Sequence, residues 1–548
     1  MNIINHIPDV IFIGLYTASL IWFCRRMLHI FQLEEYQSIR LIRWGIKSRN
    51  NLFGTTLIFA SLISLVAVIV VTMITRSIKP NLVISSLLCF FASLKTHQVI
   101  SQAKKPLVYT NRAKRITFSF SLVALMISVL FVLLIESNNQ IIIQGILNFV
   151  LILAAPIIAI ICLLTGNFIL TPVESTIRWR YEQSARSILG ENKNLKKIGI
   201  TGSYGKTTTK VIISHLLKSK YKTLATPQSY NTFLGIIRVI REELKPFHEI
   251  FVVEMGAYVP GEIKKICELV HPDISVITEV GPQHLERFGT IDNIANAKYE
   301  IVQGLPRNGT LIIYADNPNC ATLADRAKKE GYNVLRYGIA SDNSILDACA
   351  SEIEYYKNGT SFRLHVKGST SRKVEIPLLS YHNVLNVLAS TLVALQFEIS
   401  LEEIVRSYSS IPLIPHRLQL IKTENGITII DDSYNSNIVG VHNGLDLLEK
   451  IALEGKIIVT PGIIELGEVE YAENYRFGEH IARVCSHVIL VGLKQTRPIQ
   501  EGLQSCGFPR ERMIVVPDLN GATLELAKIT SPGDIVLFSN DLPDNYSE

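Results

Sequence analysis

The sequence predicts an α-helical membrane domain of about five transmembrane helices, followed by two α/β domains. Two observations predict it. Long apolar runs fill residues 1–170, and from Lys196 onward short β-branched runs alternate with stretches of helical period, the signature of parallel sheets with crossover helices. Charge divides the chain in the same way, with four acids and fourteen bases up to residue 170 against 44 acids and 40 bases beyond it. A mean hydropathy of +0.27 with 48% hydrophobic residues excludes disordered chains, which are poor in apolar residues, and 32 glycines are too few for collagen. Clustered bases often mark a nucleic-acid binder through counterion release. Here they lie between apolar runs and the larger part is mildly acidic, so no nucleic-acid partner is expected. The eight cysteines form no CxxC pair, and isolated reduced core thiols are expected instead of a zinc ribbon or disulfide framework.

Runs at 3–24, 52–75, 116–135 and 141–165 are long enough, or nearly so, to cross about 30 Å of hydrocarbon at about 1.5 Å per residue. A fifth, 82–94, is short. Arg25, Arg26, Arg40, Arg43, Lys47 and Arg49 fill the first long loop, and Lys95, Lys104, Lys105, Arg112, Lys114 and Arg115 fill the third. The positive-inside rule places both loops in the cytoplasm, which requires 82–94 to cross as well. Five crossings put the amino terminus outside and everything after residue 165 inside, as expected of a multi-pass protein of the cytoplasmic (inner) membrane. A cleaved signal peptide is not expected, because no basic segment precedes the first run and four more runs follow it. Residues 171–189 carry Arg178, Trp179, Arg180 and Tyr181 at the membrane exit, which reads as an interfacial helix or a plain linker helix.

The runs IGIT (198–201), IFVVE (250–254), ISVIT (274–278) and LIIYA (311–315) are apolar enough for strands buried on both faces. An antiparallel hairpin is expected over 352–366, turned by Asn358-Gly359. Helices resume at 384–396 and 401–407, and prolines 412 and 415 suggest a hinge. Beyond it, runs at 427–431, 456–460, 487–492, 513–516 and 534–538 alternate with helices and predict a second sheet.

The sharpest local signal is Thr201-Gly202-Ser203-Tyr204-Gly205-Lys206-Thr207-Thr208, set between a strand and a helix starting near Thr207. Glycines let the backbone curl so that its N–H groups and the helix amino terminus face phosphate oxygens. Lys206 then reaches the β/γ-phosphates and a threonine hydroxyl ligates Mg²⁺. Ile200 stands where the common spacing has its first glycine, yet the strand–loop–helix context reads as an ATP site.

A series of further motifs follows in order: NTFLG (231–235), VVEMGA (252–257), ITEVGPQHLERFGTIDNIANAKYEI (277–301), YHNVLN (381–386), PHRLQ (415–419), DDSYNSN (431–437) and TPGIIELGE (460–468). With TGSYGKTTT, these resemble the Mur ligase family from about Lys196 to the carboxyl end, specifically its MurF-like, D-alanyl-D-alanine-adding branch. The resemblance implies a central ATP-binding domain at 196–410 and a Rossmann-like C-terminal domain at 411–548, after a transmembrane domain at 1–170 and the interfacial or linker helix at 171–195. It implies Mg²⁺ ligation by Glu254 and His284 together with Thr207, and carbamylation of Lys298 by CO₂, which turns a cation into an anion able to help hold the second of two ions. Asn383, with His382, matches the adenine-side motif, Arg417 the arginine that reaches the γ-phosphate, and Asp432 the carboxylate at the ribose. Tyr434, Asn435 and Asn437 are implied substrate contacts, and Asn231 a neighbour of the transferred phosphate.

The implied chemistry is ADP-forming amide synthesis through an acyl phosphate, extending a cell-wall peptide precursor with an amino acid or dipeptide such as D-alanyl-D-alanine. Lys206, Lys298, His284 and Arg417 are the implied catalytic groups. No nucleophilic side chain is needed, and no Ser-His-Asp array is required. Four departures from the family pattern stand out: Glu279 for Asn, Gln283 for Ala, His416 for Gly, and an ending FSNDLPDNY (538–546) in place of KGSR. Membrane helices also replace the family's usual uridine-binding domain, which points to a lipid-linked acceptor. Two other readings stay open at this level: a poly-γ-glutamate or folylpolyglutamate type of amide ligase, and a non-catalytic ATP-binding regulator attached to the membrane.

Overall fold

The computed structural model describes residues 6–34, 36–47, 55–75, 79–94, 106–137, 140–228, 230–339, 345–356, 359–434, 438–451, 455–464 and 466–539. The described residues fall into two compact units, within 1–180 and within 181–539.

The first unit is helical. Among the described residues three helices are long and apolar enough to cross a membrane, Ile7–Leu33, Asn111–Glu136 and the helix that includes Ile146–Glu191. Three of the five expected crossings are thus candidates among the described residues, by length and composition. Lys79–Leu94 has 16 residues, and Thr55–Thr75 is a 21-residue helix with several side chains outside the described residues. Ile7–Leu33 packs against Lys79–Leu94 and Asn111–Glu136. The polar side chains turn inward and pair. Ser64 Oγ and Ser85 Oγ lie 2.6 Å apart, Asn148 Nδ2 donates to Ser85 at 2.8 Å, and Thr17 donates to Ser128 at 2.9 Å. Close approach needs small residues. A Cβ on Gly166 would sit 2.9 Å from Phe120 N, and Ser119 donates to the Gly166 carbonyl at 3.0 Å. Apolar side chains such as Phe118, Met126 and Phe168 face outward, 69%, 69% and 77% exposed.

One expectation is corrected here. The sequence suggested a break between a last span ending at 165 and a separate helix over 171–189, but Ile141–Glu191 is one helix of 51 residues, with Pro156 and Pro172 inside it. A proline inside a helix removes one backbone donor and its ring crowds the carbonyl one turn back, yet the helix continues through both positions. Thr171 donates to the Asn167 carbonyl at 3.1 Å, and Thr176 to that of Pro172 at 2.9 Å.

The second unit holds two sheets. The nine-stranded sheet comprises β1 (Lys196–Thr201), β2 (Thr223–Ala225), β3 (Ile250–Glu254), β4 (Ile274–Ile277), β5 (Thr310–Tyr314), β6 (Asn333–Gly338), β7 (Ala348–Tyr356), β8 (Gly359–Val366) and β9 (Arg372–Ile376). Its order is β2-β3-β1-β4-β5-β6-β7-β8-β9, parallel from β2 to β7 and antiparallel across β7, β8 and β9. The hairpin is where the alternation placed it, although its turn residue Asn358 lies outside the described residues. Strands β2, β6 and β9 were not foreseen. The first has three residues, and the other two alternate apolar with charged or polar residues and so lack a continuous apolar run.

The six-stranded sheet comprises β10 (Gln419–Lys422), β11 (Thr428–Asp432), β12 (Lys456–Thr460), β13 (His487–Val491), β14 (Met513–Val516) and β15 (Ile535–Ser539), in the order β10-β11-β15-β12-β13-β14. All the pairs except β10–β11 are parallel. All eight cysteines are free, seven of them buried and Cys506 exposed.

In the larger sheet β1 lies between β3 and β4. The loops leaving the carboxyl ends of these three strands therefore converge at one edge, the place where open parallel sheets bind ligands.

Candidate active site

The loop after β1 runs directly into the helix Lys206–Leu217. Two glycines make its curl possible. Gly202 has φ 150° and a Cβ there would collide with Thr278 Oγ1. Gly205 has φ 77° and a Cβ there would meet Asn386 Oδ1 at 2.6 Å. The segment after β4 braces the loop: Ser203 N donates to the Glu279 carbonyl at 2.6 Å, and Ser203 Oγ donates to that of Gly281 at 2.9 Å. The Thr278 hydroxyl donates to the Tyr204 carbonyl. Lys206 Nζ curls back onto the carbonyls of Gly202 (2.6 Å) and Ser203 (3.2 Å). Burial brings its pKa down to about 8, with Glu254 acting against that shift and Arg417 adding to it.

Glu254 ends β3, buried beside this loop. Thr207 Oγ1 donates to its two oxygens at 3.2 and 3.0 Å, Asn231 Nδ2 donates at 3.1 Å, and Lys210 Nζ pairs with Oε2 at 3.0 Å. Burial alone would raise the Glu254 carboxyl, but Lys210 and Lys206 outweigh it and the net shift is downward. His284 (φ 54°) caps the short helix Leu285–Phe288, its ring 4.5 Å from that of Tyr258, over which the Arg287 guanidinium lies at 4.6 Å. Lys298, on the helix Ile291–Gln303, is 3% exposed. Burial, and then Lys206, push its pKa well below the usual lysine value.

Asn231, Glu254, Tyr258, His284 and Lys298 line one cleft with Ser203 to Thr208, Arg417 and Tyr434. A contiguous second hollow is lined by Tyr204, Gly205, Thr208, Glu279, His382, Asn383, Asn386, Arg417, Asp432 and Asn443. Arg417 belongs to both and lies over the Tyr434 ring at 4.6 Å. Burial lifts Asp432 to about 7, opposed by Arg417. Of the expected site residues among the described ones, only Gly202 lines neither hollow, being packed behind the loop on Thr278. Asn435 and Asn437 lie outside the described residues. His416 adopts φ 60°, a conformation glycine takes at no steric cost, and its Nδ1 sits 2.7 Å from Asp431 Oδ2.

Sequence reasoning passed over Lys210, Tyr258 and Asn443. Lys210 was within reach: it stands four residues after Lys206, one turn along the same helix face. Tyr258 and Asn443 carry no local signal, because only the fold brings them to the cleft.

The donor chemistry fits a magnesium ion. A carboxylate and a hydroxyl within 3.2 Å of each other supply hard oxygens, with an imidazole on the same wall. An unmodified ammonium at Lys298 would oppose a second ion.

A glycine-curled phosphate cradle, a carboxylate–hydroxyl pair beside it, and an arginine and a carboxylate brought in from a second α/β domain define an ATP-dependent ligase. Residues 200–394 match the Mur ligase middle domain and 416–540 the Mur ligase, glutamate ligase domain. The chain belongs to the Mur ligase family, as its motifs implied. It is 31% identical over 358 residues to the UDP-N-acetylmuramoyl-tripeptide--D-alanyl-D-alanine ligase of Bacillus subtilis (strain 168), covering 65% of this chain and 75% of that protein. To the enzyme of the same name in Mycobacterium leprae (strain TN) it is 30% identical, covering 62% and 70%. Among solved structures it resembles MurF from Acinetobacter baumannii (TM-score 0.60, 27% identity, 67% of this chain and 78% of that one). It also resembles the MurF ligase from Thermotoga maritima in complex with ADP (TM-score 0.59, 27% identity, 66% and 80%).

Proposed function

We propose that the chain joins D-alanyl-D-alanine to the tripeptide of an N-acetylmuramoyl cell-wall precursor, releasing ADP and phosphate, at the cytoplasmic face of a membrane spanned by its amino-terminal helices. The observation that carries the chemistry is the single cleft lined by Lys206, Thr207, Glu254, His284, Lys298 and Arg417. A tripeptide carboxylate attacks the γ-phosphorus of ATP and ADP leaves. The dipeptide amine then displaces phosphate from the acyl phosphate and gives up a proton. The chain's own residues supply position and charge: Lys206 and Arg417 face the phosphoryl group on which negative charge develops, Asn383 and Asp432 hold the nucleoside end, and Lys210 keeps Glu254 ionised.

Thr207, Glu254 and His284 would hold Mg²⁺, which supplies Lewis-acid stabilisation of phosphoryl oxygens when bound. Lys298 is suited to carry a carbamate. Its amine makes no hydrogen bond or ion pair among the described residues, and burial with Lys206 nearby favours the neutral form that adds CO₂, releasing one proton. The resulting anion provides the charge that a second ion needs.

In this reading residues 1–170 anchor the enzyme, 171–195 lead out of the membrane, 196–410 bind ATP and 411–548 complete the cleft. Support for the membrane comes from large apolar side chains turned outward along several helices, a surface that lipid covers and water does not. Five crossings with the amino terminus outside satisfy the loop charges. The acceptor's handle is either the uridine nucleotide in the relatives' name or a lipid.

The test is to incubate membranes holding the protein with ATP, Mg²⁺ and labelled D-alanyl-D-alanine. Label is expected in a muramoyl-peptide product, and its partition between lipid extract and water identifies the handle. No incorporation, with ADP released on adding glutamate, would overturn the proposal in favour of a polyglutamate-type ligase.

A further inference from the structure

We infer that Glu279 reads the nucleobase of ATP, as a carboxylic acid that donates its O–H to adenine N1 and accepts from the 6-amino group. The inference rests on reading the cleft as the ATP site. Glu279 follows β4 directly, and its carbonyl accepts from Ser203 N at 2.6 Å, which ties the residue to the phosphate loop. Its side chain opens into the hollow next to that loop, the two hollows sharing Tyr204, Gly205 and Thr208. A base placed there meets two more polar atoms. The Tyr204 hydroxyl and His382 Nε2 are both buried with no hydrogen-bond partner among the described residues, and leaving such atoms unmade is costly unless a ligand satisfies them.

The surroundings favour the acid form. Burial raises Glu279 to about 7, with only the Asn317 amide acting against it. His382 Nδ1, 4.0 Å from Oε2, is brought down by burial to about 4 and so stays neutral. Tyr204, Tyr314, Tyr337 and Tyr381 face it from the phosphate loop, β5, β6 and the helix Tyr381–Gln396, all pushed up by burial and uncharged, as is Cys320 on the helix Pro318–Lys329. Asp316, after β5, faces three of the same tyrosines, Tyr314, Tyr337 and Tyr381. Arg417 and Asp432 line the same hollow from the second sheet domain.

Adenine presents an acceptor at N1 beside a donor at N6, which the acid matches. Once ionised, the carboxylate repels the N1 lone pair but pairs with the N1–H and 2-amino donors of guanine. Raising the pH through about 7 should therefore weaken ATP relative to GTP. The γ-phosphate titrates in the same range, but identically in both nucleotides, so their ratio isolates the base.

Equilibrium binding of radiolabelled ATP and GTP with Mg²⁺ to the full chain in detergent micelles, from pH 6 to pH 8.5, tests this. The ATP-to-GTP affinity ratio is expected to fall at least tenfold across that range. Glu279→Gln, whose amide donates to N1 and accepts from N6 at every pH, should hold the ratio flat. A ratio independent of pH in the unaltered protein, or an unchanged pH dependence in Glu279→Gln, would overturn the inference. A Lys206→Ala variant separates the two layers of the argument: if it binds both nucleotides as the unaltered protein does, the reading of the cleft fails. If it loses both while the unaltered protein's ratio is flat with pH, only the role of Glu279 falls.

Discussion

The ion pair of Lys210 with Glu254 gives the sharpest energetic prediction. The two side chains are 2% and 1% exposed, with Nζ and Oε2 3.0 Å apart. Lys210→Met leaves the carboxylate buried with the Thr207 and Asn231 donors and without its nearest cation. Removing one partner of a buried pair costs about 3–5 kcal/mol. At roughly 2–4 °C per kcal/mol this amounts to a fall of roughly 6–20 °C in the melting temperature of the second unit. Mg²⁺ with ADP should recover part of the loss, because a divalent ion on Glu254 replaces the missing charge. Glu254→Gln leaves the buried ammonium with neutral carbonyl acceptors, that of Gln228 among them, and no opposite charge, so it should lose a similar amount and gain nothing from Mg²⁺. The double variant should lose less than the sum. Thermal unfolding of the full chain in detergent, followed by protease resistance of the second unit, measures all three. Single variants melting within about 2 °C of the parent, or strictly additive losses, would refute the pairing as a source of stability.

Other outcomes follow from the same geometry. Lys206→Ala is expected to abolish ADP release, a loss of about 10³-fold or more, since it removes the cation nearest the transferred group. Lys298→Ala should lower turnover severely while ATP still binds in equilibrium dialysis; retained turnover would remove the carbamate. Gly205→Ala combines φ 77° with a Cβ 2.6 Å from Asn386 Oδ1, so nucleotide affinity should fall, and Asn386→Ala should restore little because the backbone strain persists.

The phosphate loop could be read from the sequence because its chemistry is local: two glycines, a lysine and a threonine within a few residues already specify a curl and its charge. Glu254, His284, Lys298, Arg417 and Asp432 were found through motif order, and the fold shows why they meet, at the carboxyl ends of β1, β3 and β4 and in the segments flanking β10 and β11. Lys210 stands one turn after Lys206 and could have been noted, but its pairing with Glu254, 44 residues away, is visible only in the fold. The single helix Ile141–Glu191 was missed because Gly166 and Pro172 signal a stop, whereas the helix runs through both. The conformation of His416 was hidden for a related reason, since only the Asp431 contact shows how a side chain is held where glycine would fit freely.

The most direct measurement on the central claim uses acceptor tripeptide labelled with ¹⁸O in its terminal carboxylate, together with ATP, Mg²⁺ and D-alanyl-D-alanine. If the cleft activates the acid as an acyl phosphate, one ¹⁸O must appear in the inorganic phosphate released with each amide bond formed. Amide formation with unlabelled phosphate, or with ¹⁸O in AMP, would contradict the account.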